Sequence, residues 1–419
     1  MKKFLAAICA AGLLMTGCGG NKSATTDKPE TIEFTANDVA GMQIQAINAT
    51  GDEVEVDKNA FKKAAGQQID WKSAPRFDNQ FDLTYYVLDA RDDLKTTVPV
   101  VLTNGFEPDY QALVNDAAIW YLQRGWQTRN GQTFTLLTLK NYPGERVAQA
   151  YFDGDTSDLD AEEMQLYNEA VKIVDEAKNF SNNLLYRELY IHDAITSRVA
   201  YYTEKPQPTC ARFQTALGGL IDGKANCQGY SDTFYMLATM CGLNVGKVSG
   251  NAGGGPHMWN TVNFGDDRNY FMDVTWDDGA FNTNSGEYTN YIYFNAPSDI
   301  ASATHQWSDD YVPDIQPVPD GRYEYYTKEF NNSNGRYFAT HTDNAEEALR
   351  FIAKRIGNEG WRSTWVCAPY DANYTDNKKS LNHLLNDLLP AYGWRGSVTL
   401  KTDIRGKYMF FTADARANN

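Results

Sequence analysis

Six cysteines in 419 residues are too few for a disulfide framework, and none are spaced Cys-x-x-Cys as a structural metal site would need. Histidine is scarcer still, at five. The apolar run at 4–15, "FLAAICAAGLLM", is shorter than the ~20 residues a helix needs to cross a bilayer. Basic charge is outweighed: 38 Lys and Arg against 54 Asp and Glu give a formal net charge of −16. Such a chain repels phosphate backbones, which argues against nucleic-acid binding. What is abundant is core material. Hydrophobic residues make up 42%, with 26 Tyr, 20 Phe and 9 Trp, and the length calls for two or three domains.

The N-terminus reads as a targeting segment. A basic Met1–Lys3, the apolar run and then "LLMTGC" form the pattern of a secretory signal. Small residues followed by Cys18 resemble the lipobox of bacterial lipoproteins. That resemblance implies a signal peptide over 1–17, lipidation at Cys18, and a membrane-anchored location in the exported bacterial cell envelope. Ordinary secretion with Cys18 free is the alternative. Residues 18–30 are polar and suit a tether. Export permits disulfides, so Cys210, Cys227, Cys241 and Cys367 are either free thiols or partly paired, with 210–241 as one conceivable bridge.

Three regions follow. Residues 31–150 read as an αβ region, with strands in "TIEF", "FDLTYYVLDA" and "TVPVVLTN", a helix over 109–125 stopped by Gly125, and strands in "QTFTLLTLKNY" and "RVAQAYF". Residues 151–315 open with acidic "DGDTSDLDAEE". It lacks the glycine of a calcium loop and reads instead as a helix start capped by Ser157 or Asp158. Helices at 159–180 and 183–200 come next, then a third from Cys227, then strands from Val245 to Phe294. The proline-rich "YVPDIQPVPDG" marks a boundary. Residues 322–415 read as a small αβ domain: strand 336–340, helix 344–357, strand 363–368, helix 378–392, strands 396–402 and 408–412.

Chemistry concentrates in three stretches. In "GKANCQGYSDTFYMLATMCG", Tyr230, Phe234, Leu237, Ala238 and Cys241 recur at helical spacing, and Gly242 ends the helix. Cys227 then falls at the first turn, where free N–H groups and the positive end of the helix dipole favour thiolate. Gly229 leaves room beside the sulfur for a substrate backbone. In "HMWNTVNF", His257, Trp259 and Thr261 share one strand face; in "NYFMDVTW", Phe271, Asp273 and Thr275 do. A hairpin centred at Gly265 sets His257 opposite Asp273, close enough for the carboxylate to hold one ring nitrogen. Cysteine, histidine and carboxylate in this relation make an activated nucleophile. Cys227 as plain core packing is the competing reading. Trp259 serves either the cleft wall or the core. Asp277 and Asp278 read as turn residues. His192 reads as structural, His305 as a packing or capping residue, and His341 and His383 as unpartnered.

The order Cys…His…Asp and the flanks "GKANCQGYSDTFYMLATMCGL", "HMWNTVNF" and "YFMDVTWDD" resemble the transglutaminase-like superfamily, a branch of the papain-like cysteine enzymes. The likeness runs from Glu188 to Trp307. It implies an α+β fold: a transglutaminase-like (papain-like) core with N-terminal helices and an antiparallel sheet, plus small flanking αβ regions. It implies Cys227 as nucleophile, His257 as base and then acid, and Asp273 as the orienting carboxylate. Gln228, Gly229, Trp259 and Tyr202 become cleft candidates, and Tyr201 or Tyr202 a candidate second oxyanion donor. The implied chemistry is acyl transfer at amide bonds of proteins or cell-wall peptides through a thioester, with no cofactor or metal. Protein or peptide substrates and a lipid-anchored membrane are the expected partners. A catalytically inactive transglutaminase-like binding or scaffold module at the cell surface is the alternative.

Overall fold

The structure is a computed structural model that describes residues 38–39, 41–48, 56–66, 69–205, 211–265, 268–278, 291–307, 342, 344–361, 363–370, 378–405 and 408–417. Residues 1–37, Cys210, the strand expected at 336–340, His341 and the proline-rich 311–321 fall outside them. The remainder mixes helix and sheet.

The first sheet has strand order β1-β4-β5-β3-β2: β1 (Gln43–Asn48), β2 (Arg76–Phe77), β3 (Thr97–Leu102), β4 (Tyr121–Arg129) and β5 (Gln132–Lys140). Three expectations fail in this region. "FDLTYYVLDA" is helix (Gln80–Asp92), not strand: Asn79 caps it by accepting from the Asp82 N–H, and Leu83, Val87 and Ala90 fall on one buried face. The helix expected over 109–125 stops at Asp116, and 121–129 is strand β4. Gly125 therefore ends no helix. It lies inside β4, where a Cβ would come within 2.1 Å of the Phe61 ring. "RVAQAYF" lies in a helix, Pro143–Asp153, which starts with proline in its first turn and buries Val147, Ala148 and Ala150.

The central region is built around α-helices and a second sheet. Asp160, rather than Ser157 or Asp158, caps the helix Ala161–Phe180, in a reciprocal capping box with Glu163. The helix Leu184–Thr196 follows, then β6 (Ala200–Tyr201) and β7 (Lys224–Ala225), which pair in parallel. The Cys227 helix (Cys227–Met240) is almost wholly buried, and Gly242 takes a left-handed conformation (φ 96°) just beyond it. Its inward stripe Tyr230, Phe234, Leu237, Ala238 and Cys241 joins one large hydrophobic cluster. The second sheet is antiparallel, in the order β11-β10-β9-β8-β12, with β8 (Asn244–Ala252), β9 (Gly255–Asn263), β10 (Tyr270–Met272), β11 (Phe294–Ala296) and β12 (His305–Gln306).

Polar bonds lock the Cys227 helix to β9. Ser231 Oγ donates to Trp259 O at 3.1 Å, and Asn260 Nδ2 donates to Ser231 O at 3.2 Å and to Gly246 O at 3.1 Å. Behind the helix, the fully buried Lys247 sits 2.8 Å from Glu145 and 3.3 Å from Asp232. Asp232 also accepts from the Gly144 and Ala216 N–H groups.

The C-terminal region follows its sequence closely: helix Ala345–Gly357, strand Ser363–Pro369, helix Lys378–Leu388 with a short 3-10 extension, and strands Gly396–Arg405 and Tyr408–Ala417. The three strands form an antiparallel sheet with their own hydrophobic cluster. His383 lies here, exposed and 3.6 Å from Asp387, so it does have a partner. Among the described residues, no helix is long and apolar enough to cross a membrane.

Candidate active site

Cys227 is the first residue of its helix. Asn226 caps it, accepting from the Gly229 N–H at 3.3 Å, while its own N–H donates to Phe213 O at 2.9 Å. The cap fixes where the helix begins. The sulfur is thereby set at the end where backbone N–H groups lack intrahelical partners. Cys227 is a half-buried free thiol.

The hairpin register differs from expectation. Phe271 pairs with Thr261 and Met272 with Asn260, which carries Asp273 toward Trp259 rather than opposite His257. The strand also ends sooner. Residues 274–277 form a single helical turn, and Asp273 is its cap, its Oδ1 accepting from Thr275 N (3.0 Å) and Trp276 N (3.2 Å). The pair still forms, diagonally: His257 Nε2 lies 2.7 Å from Asp273 Oδ2. Helix capping thus aims one carboxylate oxygen at the imidazole.

With Nε2 committed, Nδ1 is the nitrogen left for the Cys227 sulfur, the ring's other side-chain partner. Burial disfavours the imidazolium, but the Asp273 charge and hydrogen bond, reinforced by Cys227, push His257 up to about 10. Burial likewise opposes ionisation of Asp273, yet His257 and His305 hold it well below the usual carboxylate range.

The cleft candidates divide. Gln228 Nε2 donates to Tyr142 Oη at 3.3 Å, so its amide is tied to the start of the Pro143 helix. Gly229 is buried; a Cβ there would meet Phe213 O at 2.5 Å and Ala225 Cβ at 2.7 Å, so the chain itself fills the space expected for substrate. Trp259 is buried between His257, Phe271 and Trp307, a core position rather than a wall. Tyr202 stacks on Phe213 at 4.1 Å. Its neighbour Tyr201 is the one whose hydroxyl feels Cys227. Burial, then the charges of Cys227 and Asp273, push it up to about 12, so it remains an O–H donor.

His305 reads from sequence as a packing or capping residue, but it lies inside the site. Its Nε2 is 3.0 Å from the same Asp273 Oδ2. No spacing rule connects it to Asp273, because β12 lies across β8 from β9. The His257, Asp273 and His305 side chains form one cluster, their nitrogen and oxygen atoms within 4.8 Å of one another, and both Nε2 positions face one carboxylate oxygen at hydrogen-bond distance.

Asp277 and Asp278 are buried partners rather than turn residues. Asp277 bonds His192 Nε2 at 3.3 Å and accepts from Tyr293 N at 2.9 Å; Asp278 accepts from the Tyr230 hydroxyl. Together they pin the Asp273 turn to the helices on either side. Cys241 is a free, buried thiol that burial pushes up to about 11.

Comparison with solved structures finds similarity to a protein described as a TGase, at 18% identity and a TM-score of 0.26. The match covers 51% of this chain and 61% of that one, an overlap too low to define a shared fold. No protein-family model matches the chain, and no curated protein does.

Proposed function

We propose that the chain is a cysteine acyl-transfer enzyme with a transglutaminase-like core, acting on amide bonds of proteins or cell-wall peptides. The observation that carries this reading is the 2.7 Å contact between His257 and a helix-capping Asp273, with Cys227 as the ring's other partner. In the proposed reaction the Cys227 sulfur attacks the amide carbonyl carbon. The Cys227 N–H and the Tyr201 hydroxyl receive the oxyanion, and the His257 imidazolium protonates the departing amine. Water or a second amine then gives up a proton to His257 and attacks the thioester, restoring the thiolate–imidazolium pair. Export and tethering through Cys18 belong to the same proposal and rest on the sequence of residues 1–18.

The test is the alkylation rate of Cys227 by iodoacetamide across pH, followed by mass spectrometry of the protein incubated with a peptide-amide library. The expected results are a native Cys227 that alkylates faster than it does in the denatured chain and a thioester adduct on Cys227 that the Cys227→Ala protein lacks. A thiol reacting no faster than in the denatured chain, with no adduct, would defeat the proposal.

A further inference from the structure

Asp273 is shared. Its Oδ1 is filled by two backbone N–H groups of the turn it caps, and its Oδ2 takes both His257 Nε2 at 2.7 Å and His305 Nε2 at 3.0 Å. An ionised carboxylate only accepts, so both imidazoles must donate. His305 is itself held from behind: its Nδ1 lies 2.9 Å from Thr304 Oγ1, and that hydroxyl lies 2.9 Å from Tyr293 Oη. The ring is buried against Trp276 (4.7 Å), Phe271 (4.8 Å), Tyr293 (5.0 Å) and Trp259 (5.0 Å). Gly250, paired with His257 in the sheet, lets this edge close; a Cβ there would meet Gln306 O at 2.2 Å.

We propose that His305 is a positioning residue of the site, acting on His257 through the carboxylate oxygen they share. The inference rests on the functional reading above. One acceptor oxygen divided between two donors pulls less on each than it would on one alone. His305 therefore keeps Asp273 ionised and aimed in a buried place, and it also limits how strongly Asp273 holds the His257 proton. A general acid must release that proton to the leaving amine, so the second imidazole adjusts proton affinity as well as orientation. Facing the His257–Asp273–His305 unit are the Cys227 sulfur, the Tyr201 and Tyr293 hydroxyls, Thr304 and the buried Asp277 carboxyl, which repels the Asp273 charge.

The experiment compares wild type with His305→Leu and His305→Gln, using full-length protein labelled with 15N-histidine. Only five histidines contribute signals. Two readouts are followed: the His257 ring titration by NMR, and Cys227 alkylation against pH. The Leu variant removes the second donor, and its His257 titration is expected to move upward by about one pH unit. The upper limb of its alkylation profile should move with it. The Gln variant keeps an N–H donor near Asp273 and should restore the wild-type titration. A folded Leu variant whose His257 titrates as in wild type overturns the proposal, as does a Gln variant that shifts as far as Leu. If instead wild-type Cys227 is unreactive while the ring titration shifts as expected, the catalytic reading fails and the coupling through Asp273 stands.

Discussion

Asp273 Oδ2 reaches His257 Nε2 at 2.7 Å because Oδ1 of the same carboxylate caps a helical turn. One side chain thus serves stability and chemistry together, and the pair has a defined pH window. His257 is raised from its ordinary 6.5 to about 10, so its contribution to stability is complete below 6.5 and is lost as pH rises through 10. Asp273 is depressed from its ordinary 3.8, so its contribution is present above 3.8 and is lost as pH falls through its lowered value. Asp273→Asn keeps a good cap but removes the charge. The stability gap between wild type and this variant, from urea unfolding, should be widest between about pH 4 and 6.5 and should narrow on both sides. A gap constant from acid to pH 10 would show that charge plays no part.

The same substitution should lower amide turnover by about 10²–10⁴-fold while leaving the fold intact, because His257 loses both its orientation and its charge partner. Single-turnover kinetics with any peptide amide that acylates Cys227 would measure it. An Asp273→Asn protein that acylates at the wild-type rate contradicts the assigned role.

The site was readable where its physics is local. A cysteine before an apolar stripe at helical spacing, closed by Gly242, marks a helix N-terminus within a single segment. The His257–Asp273 pairing was reachable from strand alternation, although the register was misplaced, because turn geometry sets register and residues 274–277 turn out helical. His305 was out of reach: its approach to Asp273 depends on how β12 closes over β8, which no local pattern encodes. In the N-terminal region, the aromatic and β-branched residues of "FDLTYYVLDA" outvoted the helical spacing of Leu83, Val87 and Ala90. The C-terminal elements were legible because alternating and helical periods separate cleanly there.

Lys247 balances two carboxylates behind the Cys227 helix, with Glu145 at 2.8 Å and Asp232 at 3.3 Å. Lys247→Met removes that cation and leaves Asp232 buried without it, while Glu145 keeps Arg91 at 3.9 Å. The expected destabilisation is about 3–5 kcal/mol in urea unfolding near neutral pH. The loss should shrink in acid, because burial pushes the Asp232 carboxyl up and its protonation removes the uncompensated charge. A variant as stable as wild type at pH 7 would show that the ion pairs contribute nothing net.

Gly250 admits both the Trp259 ring, 2.6 Å from where a Cβ would stand, and the Gln306 carbonyl at 2.2 Å. Gly250→Ala overpacks this junction and should cost about 1–3 kcal/mol. It should also alter the near-ultraviolet circular dichroism of the surrounding tryptophans, since β12 must move. Gly255→Ala, with nothing within 4 Å of its Cβ, is the control expected to be near neutral. Equal effects at both positions would refute the packing argument.

Glu188 and Asn295 make a buried pair with one hydrogen bond between them and one unpartnered oxygen on each. Asn295 Nδ2 donates to Glu188 Oε2 at 2.8 Å, while Glu188 Oε1 and Asn295 Oδ1 are buried with no hydrogen-bond partner. Both are acceptors if the carboxyl is ionised; a proton on Oε1 turns that oxygen into a donor and removes the buried charge. Burial pushes Glu188 up to about 8, against the Asn295 hydrogen bond and the nearby His192, which lower it. The folded state therefore holds this proton more tightly than the unfolded chain, whose carboxyl titrates near 4.5. Its stabilising share is complete below 4.5 and is lost as pH rises through 8. Glu188→Gln copies the protonated acid, with an amide N–H in place of O–H, and cannot titrate. The variant should match or slightly trail wild type at about pH 5, should overtake it as pH rises between about 5 and 8, and should keep a constant lead above that. The difference between their urea midpoints reports the Glu188 proton together with its coupling to His192. Parallel curves from pH 5 to 9 would mean that the carboxyl is ionised throughout, and the two orphaned oxygens would then need another donor.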